Sequence, residues 1–492
     1  MAIASPTCDM PNDNALVLSI NLIIWGGAMD VQATEDFERL MKRLGETELY
    51  HDGEDWVECE SVWKRPLRPQ AFPYTTFDSV TQSTLFNYSS LTMNRTLTAL
   101  YEQDFLYLPA TSNNIIEDLK TAYSTPLRTL ANELIAPLEE KVLGDLQAQV
   151  KVGGGWNKEL FKCFLAEKLE PHGDAVLDTL SLIQSADDPQ LMLKLLLMQH
   201  AVDFLPESSH MARFAKGDYG DAQSAVFRVL LDEFGYGKHA TKHSTLFKST
   251  LKSIGMLDNS HAYWNFYLTS SLLNNNYFHK LTRSPECFFE YVGAITYAEN
   301  SFGPYCGRVR NLLLQHFPDV DARYYTEHVH IDDFHGSMTL NEILLPLAER
   351  YGPTVYPEFV RGIEMSCMLQ QIMEDDLRAQ ITWMNKRPLY RQLAMDIKQR
   401  VLENIENIPV AYLNEPKNEL SVPHVHDGDE FCIVDEGLLR FCHGPDCFSD
   451  LSPGDCVVIA KNRLHGALVL SDFCKYRILS IGDYRQYATY SL

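Results

Sequence analysis

The sequence predicts a multidomain α + β protein: a helical N-terminal region over 1–150, a helical bundle over 151–390 and a small C-terminal β-barrel over 391–492. Three observations carry this. Apolar residues recur every three or four positions through most of 90–385, the spacing of a buried helix face. After Pro409 the text changes to short alternating runs punctuated by Gly, Pro and Asp, which is how antiparallel strands and tight turns read. A length of 492 residues suits roughly two to four units, each burying its own core.

In chain order, 15–28 is apolar, but Asp9 and Asp13 stand where a signal peptide is basic. The run is also too short for a membrane span, so a buried strand or helix is expected. Residues 35–44 read as a helix with Phe37, Leu40, Met41 and Leu44 on one side. Pro66, Pro69 and Pro73 then break the chain. From 90 to 148 helical spacing resumes, through Ile115, Leu119, Tyr123, Leu127, Leu130, Leu134 and Leu138, and Pro126 and Pro137 should kink or divide that run. Within the bundle, 176–183, 191–205, 222–234, 264–274, 287–300, 340–351 and 365–373 read as helices. The stretch 191–205 is apolar on nearly all sides and should be central. Strands are expected at 430–434, 438–441, 456–460, 467–470 and 475–481, and the unit boundary between 385 and 408.

The composition, 45% hydrophobic and 22% charged, is that of ordinary globular protein. A net charge of −24 argues against nucleic acid or an anionic membrane as partner, and leans weakly towards a cationic small substrate. Eleven cysteines show no paired spacing and read as reduced thiols in a cytoplasmic protein.

Chemistry concentrates in 324–336, Tyr-Tyr-Thr-Glu-His-Val-His-Ile-Asp-Asp-Phe-His-Gly. His328, Asp332 and His335 stand at i, i+4 and i+7, one narrow helical stripe from which His330 and Asp333 point away. Two imidazoles and a carboxylate on one face suit Fe, Mn or Zn. The same pattern also suits a solvated polar face with His–Asp pairing. Other helices end on carboxylates: Glu207 after 191–205, Glu233 after 226–231 with His243 ten residues on, and Glu299 after 292–298. Together Glu207, Glu233, His243, Glu299, His328, Asp332 and His335 make a full ligand set for two iron ions in a helical bundle.

The C-terminal segment carries His424-x-His426-x3-Glu430-x6-Gly437, with His465 after the Pro453-Gly454-Asp455 turn. In a strand, His424 and His426 face the same side. The pattern resembles the two cupin motifs, with Asn418 and Asn462 where the motifs usually carry Gly, Ala460 in place of Pro, and Val469 in place of Asn.

The helical ligand order is similar to that of haem-oxygenase-like di-iron oxidases. The sequence of units, with a cupin last, resembles the N-nitrosourea-forming members of that group. The resemblance implies a helical N-terminal dimerisation region and hence a homodimer. It implies Fe(II) as cofactor, two ions held by the seven helical ligands and one by His424, His426 and His465, with Glu430 a further candidate. It implies O₂ as co-substrate, hydroxylation of guanidine nitrogens of an arginine derivative such as N-methyl-arginine, and rearrangement at the cupin iron to form an N–N bond. No flavin or nicotinamide fingerprint occurs, so the electron donor would be external. Two alternatives remain open on sequence: a di-iron amine or carbon oxidase with an independent cupin dioxygenase, and a non-catalytic metal-cupin binding module on a helical scaffold.

Overall fold

The computed structural model describes residues 27–47, 69–108, 112–169 and 178–491. Most of the apolar run at 15–28, and Pro66, lie outside them. Helix α1 (Gly27–Gly45) buries Phe37, Met41 and Leu44. Helix α2 (Tyr88–Tyr101) opens at Asn87, whose side chain accepts the Ser90 N–H and so satisfies one of the free donors of the first turn. Helices α3 (Ile115–Ala122) and α4 (Thr125–Gln149) follow. The expected proline break is different in kind. Pro126 lies in the first turn of α4, where its missing N–H costs nothing, and the helix runs on through Pro137. The buried row Leu130, Leu134, Leu138 and Val142 holds that segment to the core.

The central part comprises α5 (Lys158–Leu169), α6 (Asp178–Gln184), α7 (Pro189–Phe204), α8 (Asp221–Glu233), α9 (His243–Ser253), α10 (Thr269–Arg283), α11 (Phe288–His316), α12 (Arg323–Met338), α13 (Leu345–Tyr351) and α14 (Tyr356–Asn385). Helix α7 is buried around nearly its whole circumference, including Met192, Leu193, Leu195, Leu196, Leu197 and Met198, as its uniformly apolar sequence requires. The run expected as a helix at 264–274 is a short 3-10 turn, Trp264–Phe266, followed by the start of α10. Helices α11 and α14 touch backbone to backbone. A Cβ at Gly362 would fall 2.0 Å from the Glu290 carbonyl oxygen, and one at Gly293 would fall 2.2 Å from that of Phe359.

Helix α15 (Arg387–Glu403) occupies most of the boundary segment, and residue 390 falls inside it. Its Leu393, Ala394, Ile397 and Val401 pack on Phe431, Ile433, Val458 and Leu479, so it covers one face of the barrel. The barrel has two four-stranded antiparallel sheets, ordered β1-β8-β3-β6 and β2-β7-β4-β5. Strands β3 (Asp429–Glu436), β4 (Leu439–Gly444), β6 (Cys456–Ile459), β7 (His465–Val469) and β8 (Phe473–Gly482) stand where alternation predicts them. Three were not legible: β1 (Val410–Pro416), β2 (Leu420–His424) and β5 (Cys447–Leu451). The first two contain prolines, and the third sets Cys447 beside Phe448 and Ser449 beside Asp450, which blurs the alternation. Asn418 and Asn462 adopt φ of +68° and +58°. Asn tolerates this left-handed region better than other side-chain-bearing residues, so the two cupin turns survive without Gly.

The N-terminal helices pack directly on the other two parts. The Thr98 hydroxyl donates to Asn276 Oδ1 (2.8 Å) in α10, and the Tyr88 N–H donates to Asp427 Oδ1 (2.9 Å) in the barrel. Arg95 reaches both, donating to the Pro423 and Asn265 carbonyl oxygens at 3.2 and 2.8 Å. The nine described cysteines are free thiols, and the five in the barrel are buried. Among the described residues no helix is long and apolar enough to cross a membrane.

Candidate metal centres

Each helical donor is positioned by an element end or a helix face. Glu207 follows α7, with its own N–H donating to the Asp203 carbonyl oxygen (2.8 Å). Glu233 is the last residue of α8 and His243 the first of α9. The loop between them reverses tightly at Gly235, at φ +59°, where a Cβ would fall 2.5 Å from the Thr241 carbonyl carbon. That reversal brings His243 Nδ1 to 2.7 Å from Glu233 Oε2. Helix α12 presents His328, Asp332 and His335 as one buried stripe, while His330 is exposed. Helix α11 adds Glu299 and approaches α12 at Gly303, where a Cβ would lie 3.2 Å from that of Asp332.

All seven candidates converge, in two sets: Glu207, Glu233, His243 and His328, and Glu299, Asp332 and His335, with the donor atoms of each set within 4.8 Å of one another. Glu233 reaches both. Its Oε2 faces His243, and its Oε1 lies 3.4 Å from His335 Nδ1, which is also 3.4 Å from Glu299 Oε2. His328 Nδ1 is engaged by the Tyr324 carbonyl oxygen (3.0 Å), which leaves Nε2 pointing between Glu207 and Glu233, 3.9 Å from each.

The electrostatics are those of a crowded, dry anionic cluster. Burial raises the Glu207 carboxyl, and Glu233 and Asp203 raise it further. Burial also raises Asp203, to about 6, with Glu233 adding to it. Burial would raise Glu233 too, but His243, His328 and His335 together hold it low. Burial pulls His328 down to about 4. Burial opposes protonation of His335 as well, yet Glu299, Glu233 and Asp232 raise it to about 10. Glu207 Oε2 is buried and accepts no hydrogen bond. A carboxylate oxygen in that condition costs several kcal/mol unless a cation meets it. Mixed carboxylate and imidazole donors fit iron, and Glu233 stands where a bridging carboxylate would.

Three supporting groups were missed on sequence. Asp232 Oδ2 lies 3.2 Å from His335 Nε2 and so fixes which ring nitrogen faces the cluster. The Tyr324 hydroxyl donates to Glu207 Oε1 (3.2 Å). Tyr324 was findable, since it lies one turn before His328 on the same stripe. Asp232 was not, because beside Glu233 it reads as part of a solvated helix end. Asp203, on the last turn of α7, is the third. Asp232→Asn is expected to weaken iron binding at the helical centre by roughly 10–100-fold, read by chelator competition, with the barrel site unaffected. The cluster opens on a cavity of about 260 Å³ whose other walls include Gln199, Asp203, Asn275, Gln370 and Glu374.

The barrel gathers His424, His426 and His465 into one donor set. Strand β2 ends at His424, so His426 is not a strand neighbour as expected but sits just beyond the strand. Register places His424 opposite His465 across β2 and β7. His424 Nδ1 meets the Val422 carbonyl oxygen (2.7 Å) and His465 Nδ1 that of Arg463 (2.8 Å), so their Nε2 atoms turn inward. His424 Nε2 and His426 Nε2 are 3.0 Å apart. Burial, reinforced by His424, pulls His426 down to about 3, and burial with both neighbours lowers His465 well below the usual range. Neutral imidazoles aiming lone pairs at one point want a metal ion between them. Glu430 stands outside this set. Its Oε2 is 3.1 Å from His426 Nε2 and its Oε1 accepts from the Ser480 hydroxyl (3.3 Å), while burial lifts its carboxyl to about 7.

Comparison with characterised proteins places the chain among iron-containing redox enzymes. Residues 194–371 match the family described as iron-containing redox enzymes. The chain is similar to a nitrosourea synthase of Streptomyces achromogenes subsp. streptozoticus, 41% identical over 442 residues, 89% of this chain and 94% of that protein. The chain is an oxidoreductase and belongs to the nitrosourea synthase family of iron-containing redox enzymes.

Proposed function

We propose that this enzyme hydroxylates guanidine nitrogens of an arginine derivative, such as N-methyl-arginine, at a two-iron helical centre and rearranges the product at a single barrel iron to form an N–N bond. The observation that carries the proposal is the coexistence of two centres of unlike chemistry, one rich in carboxylates and one of three histidines, each bordering its own cavity. The similarity to a nitrosourea synthase supports the same reading.

On this reading Glu207, Glu233, His243, Glu299, His328, Asp332 and His335 hold two Fe(II), and His424, His426 and His465 hold a third. Bound iron supplies the electrons and open coordination positions that O₂ chemistry requires. The chain's own contribution is positioning. Asp232 holds the far nitrogen of His335, and the Tyr324 hydroxyl holds Glu207. Asp203 and Glu374 line the helical cavity, and burial raises both carboxyls. A cationic guanidinium entering there would restore their charge and be held by it. Gln199 and Asn275 add amide groups to the same walls. Glu430 beside His426 offers a carboxylate to the product at the second site. The reductant is external, and the chain works as a homodimer in the cytoplasm.

The test combines metal content with product analysis. Anaerobic loading with Fe(II) should give about three irons per chain, falling to about two in His424→Ala/His426→Ala. With N-methyl-arginine, O₂ and a reductant, wild type should give first hydroxylated guanidine and then an N-nitroso product. A single iron per chain, lost in the double variant, would mean that the helical set is empty and would overturn the proposal.

A further inference from the structure

We infer that Arg95, on the N-terminal helix α2, binds the α-carboxylate of the amino-acid intermediate in the barrel cavity and so turns its guanidine end towards the three histidines. The inference rests on the function proposed above and names the groups that select its second substrate.

The barrel centre opens on a cavity of about 590 Å³ that barrel residues alone do not enclose. One wall is the face of α2 bearing Tyr88, Thr92, Arg95 and Thr96, at i, i+4, i+7 and i+8. The same lining includes His424, His426 and Glu430. Arg95 is the single Lys or Arg in the lining. Among the described residues its guanidinium meets no carboxylate. Its hydrogen bonds go to the Pro423 and Asn265 carbonyl oxygens, one from each terminal nitrogen. Each terminal nitrogen keeps a second N–H, and Nε is buried without an acceptor. Burial pulls the guanidinium down to about 10, the sign of a cation that lacks a counter-charge.

The acids of the lining are otherwise engaged. Asp427 accepts the Tyr88 N–H, and Asp429 accepts the Lys461 and Tyr484 N–H groups at 2.7 and 2.9 Å. Glu430 is left beside the histidines. The cavity lining therefore carries both a forked cation and, next to the histidine set, a carboxylate. A molecule with a carboxylate at one end and a basic nitrogen group at the other matches that polarity, and a guanidinium fork is suited to a carboxylate. Pro423 immediately precedes His424, so the tie from Arg95 fixes the anion subsite relative to the histidines.

The experiment supplies N-hydroxylated arginine and its decarboxylated counterpart, hydroxylated agmatine, to the full-length iron-loaded chain. Wild type should prefer the carboxylate-bearing compound by roughly 100-fold in kcat/KM, the scale of a buried charge pair. In Arg95→Gln that preference should collapse to a few-fold, mainly through KM, with N-hydroxylation at the helical centre and iron content unchanged. Arg95→Lys, which keeps the charge and one backbone tie, should retain part of it. If Arg95→Gln keeps the full preference, or loses both compounds equally with iron intact, Arg95 is only a structural tie and the inference fails. Binding of the two compounds to His335→Ala reads the subsite without the first reaction. Carboxylate-dependent binding without turnover would refute the proposed reaction while supporting the subsite, and carboxylate-independent binding would refute the subsite itself.

Discussion

His335→Ala should abolish N-hydroxylation while leaving the barrel able to convert a supplied hydroxylated guanidine. His335 is completely buried, and its ring stands between Glu233 and Glu299 on one edge and Asp232 on the other. Removing it leaves three acidic side chains converging on a void with one fewer donor. Altering a group that merely orients a ligand costs roughly 10–100-fold in metal affinity, so loss of a direct donor should cost at least that. No residue is shared between the helical sets and the three-histidine set. The second step should therefore persist at near wild-type rate when its substrate is given directly. Product analysis by mass spectrometry, with far-UV circular dichroism to establish folding, checks both halves. Loss of both steps in a folded variant would mean that the two centres do not divide the work.

The converse variant, His465→Ala, should accumulate hydroxylated guanidine and form no N–N product. His465 is buried on β7, directly across from His424, and its ring is held by the Arg463 carbonyl oxygen. A two-histidine remnant leaves an iron too weakly held for the second reaction, while the carboxylate-rich centre keeps every donor. The expected record is a rise of the intermediate to near stoichiometry with substrate consumed, and an iron content reduced by about one per chain. An unchanged N–N product yield in this variant would place the bond-forming step at the helical centre.

Much of both centres was legible because their residues are tied by short-range geometry. His328, Asp332 and His335 share one stripe through helical periodicity alone, and Tyr324, one turn earlier, belongs to the same stripe. His424-x-His426 and the His465 motif carry their own spacing. The uniformly apolar α7 announced its central place, and the alternation after 409 announced the barrel. What was misread had local causes. Pro137 looked like a helix break, but a buried leucine row carries α4 through it. Strands β1, β2 and β5 were hidden by prolines and polar residues.

Sequence by itself thus determined the class of fold, the donor types and the single helix face shared by His328, Asp332 and His335, because those depend on side-chain chemistry and a fixed backbone period. Only the tertiary structure decided the sorting of seven helical donors into two sets that meet at Glu233, the engagement of His335 by Asp232, and the closure of the barrel cavity by α2. Each of those contacts joins residues far apart in the chain. Arg95 and Pro423 are separated by 328 positions and His335 and Asp232 by 103. No local period encodes such pairings, and they arise when α2 packs on the barrel and α12 packs beside α8.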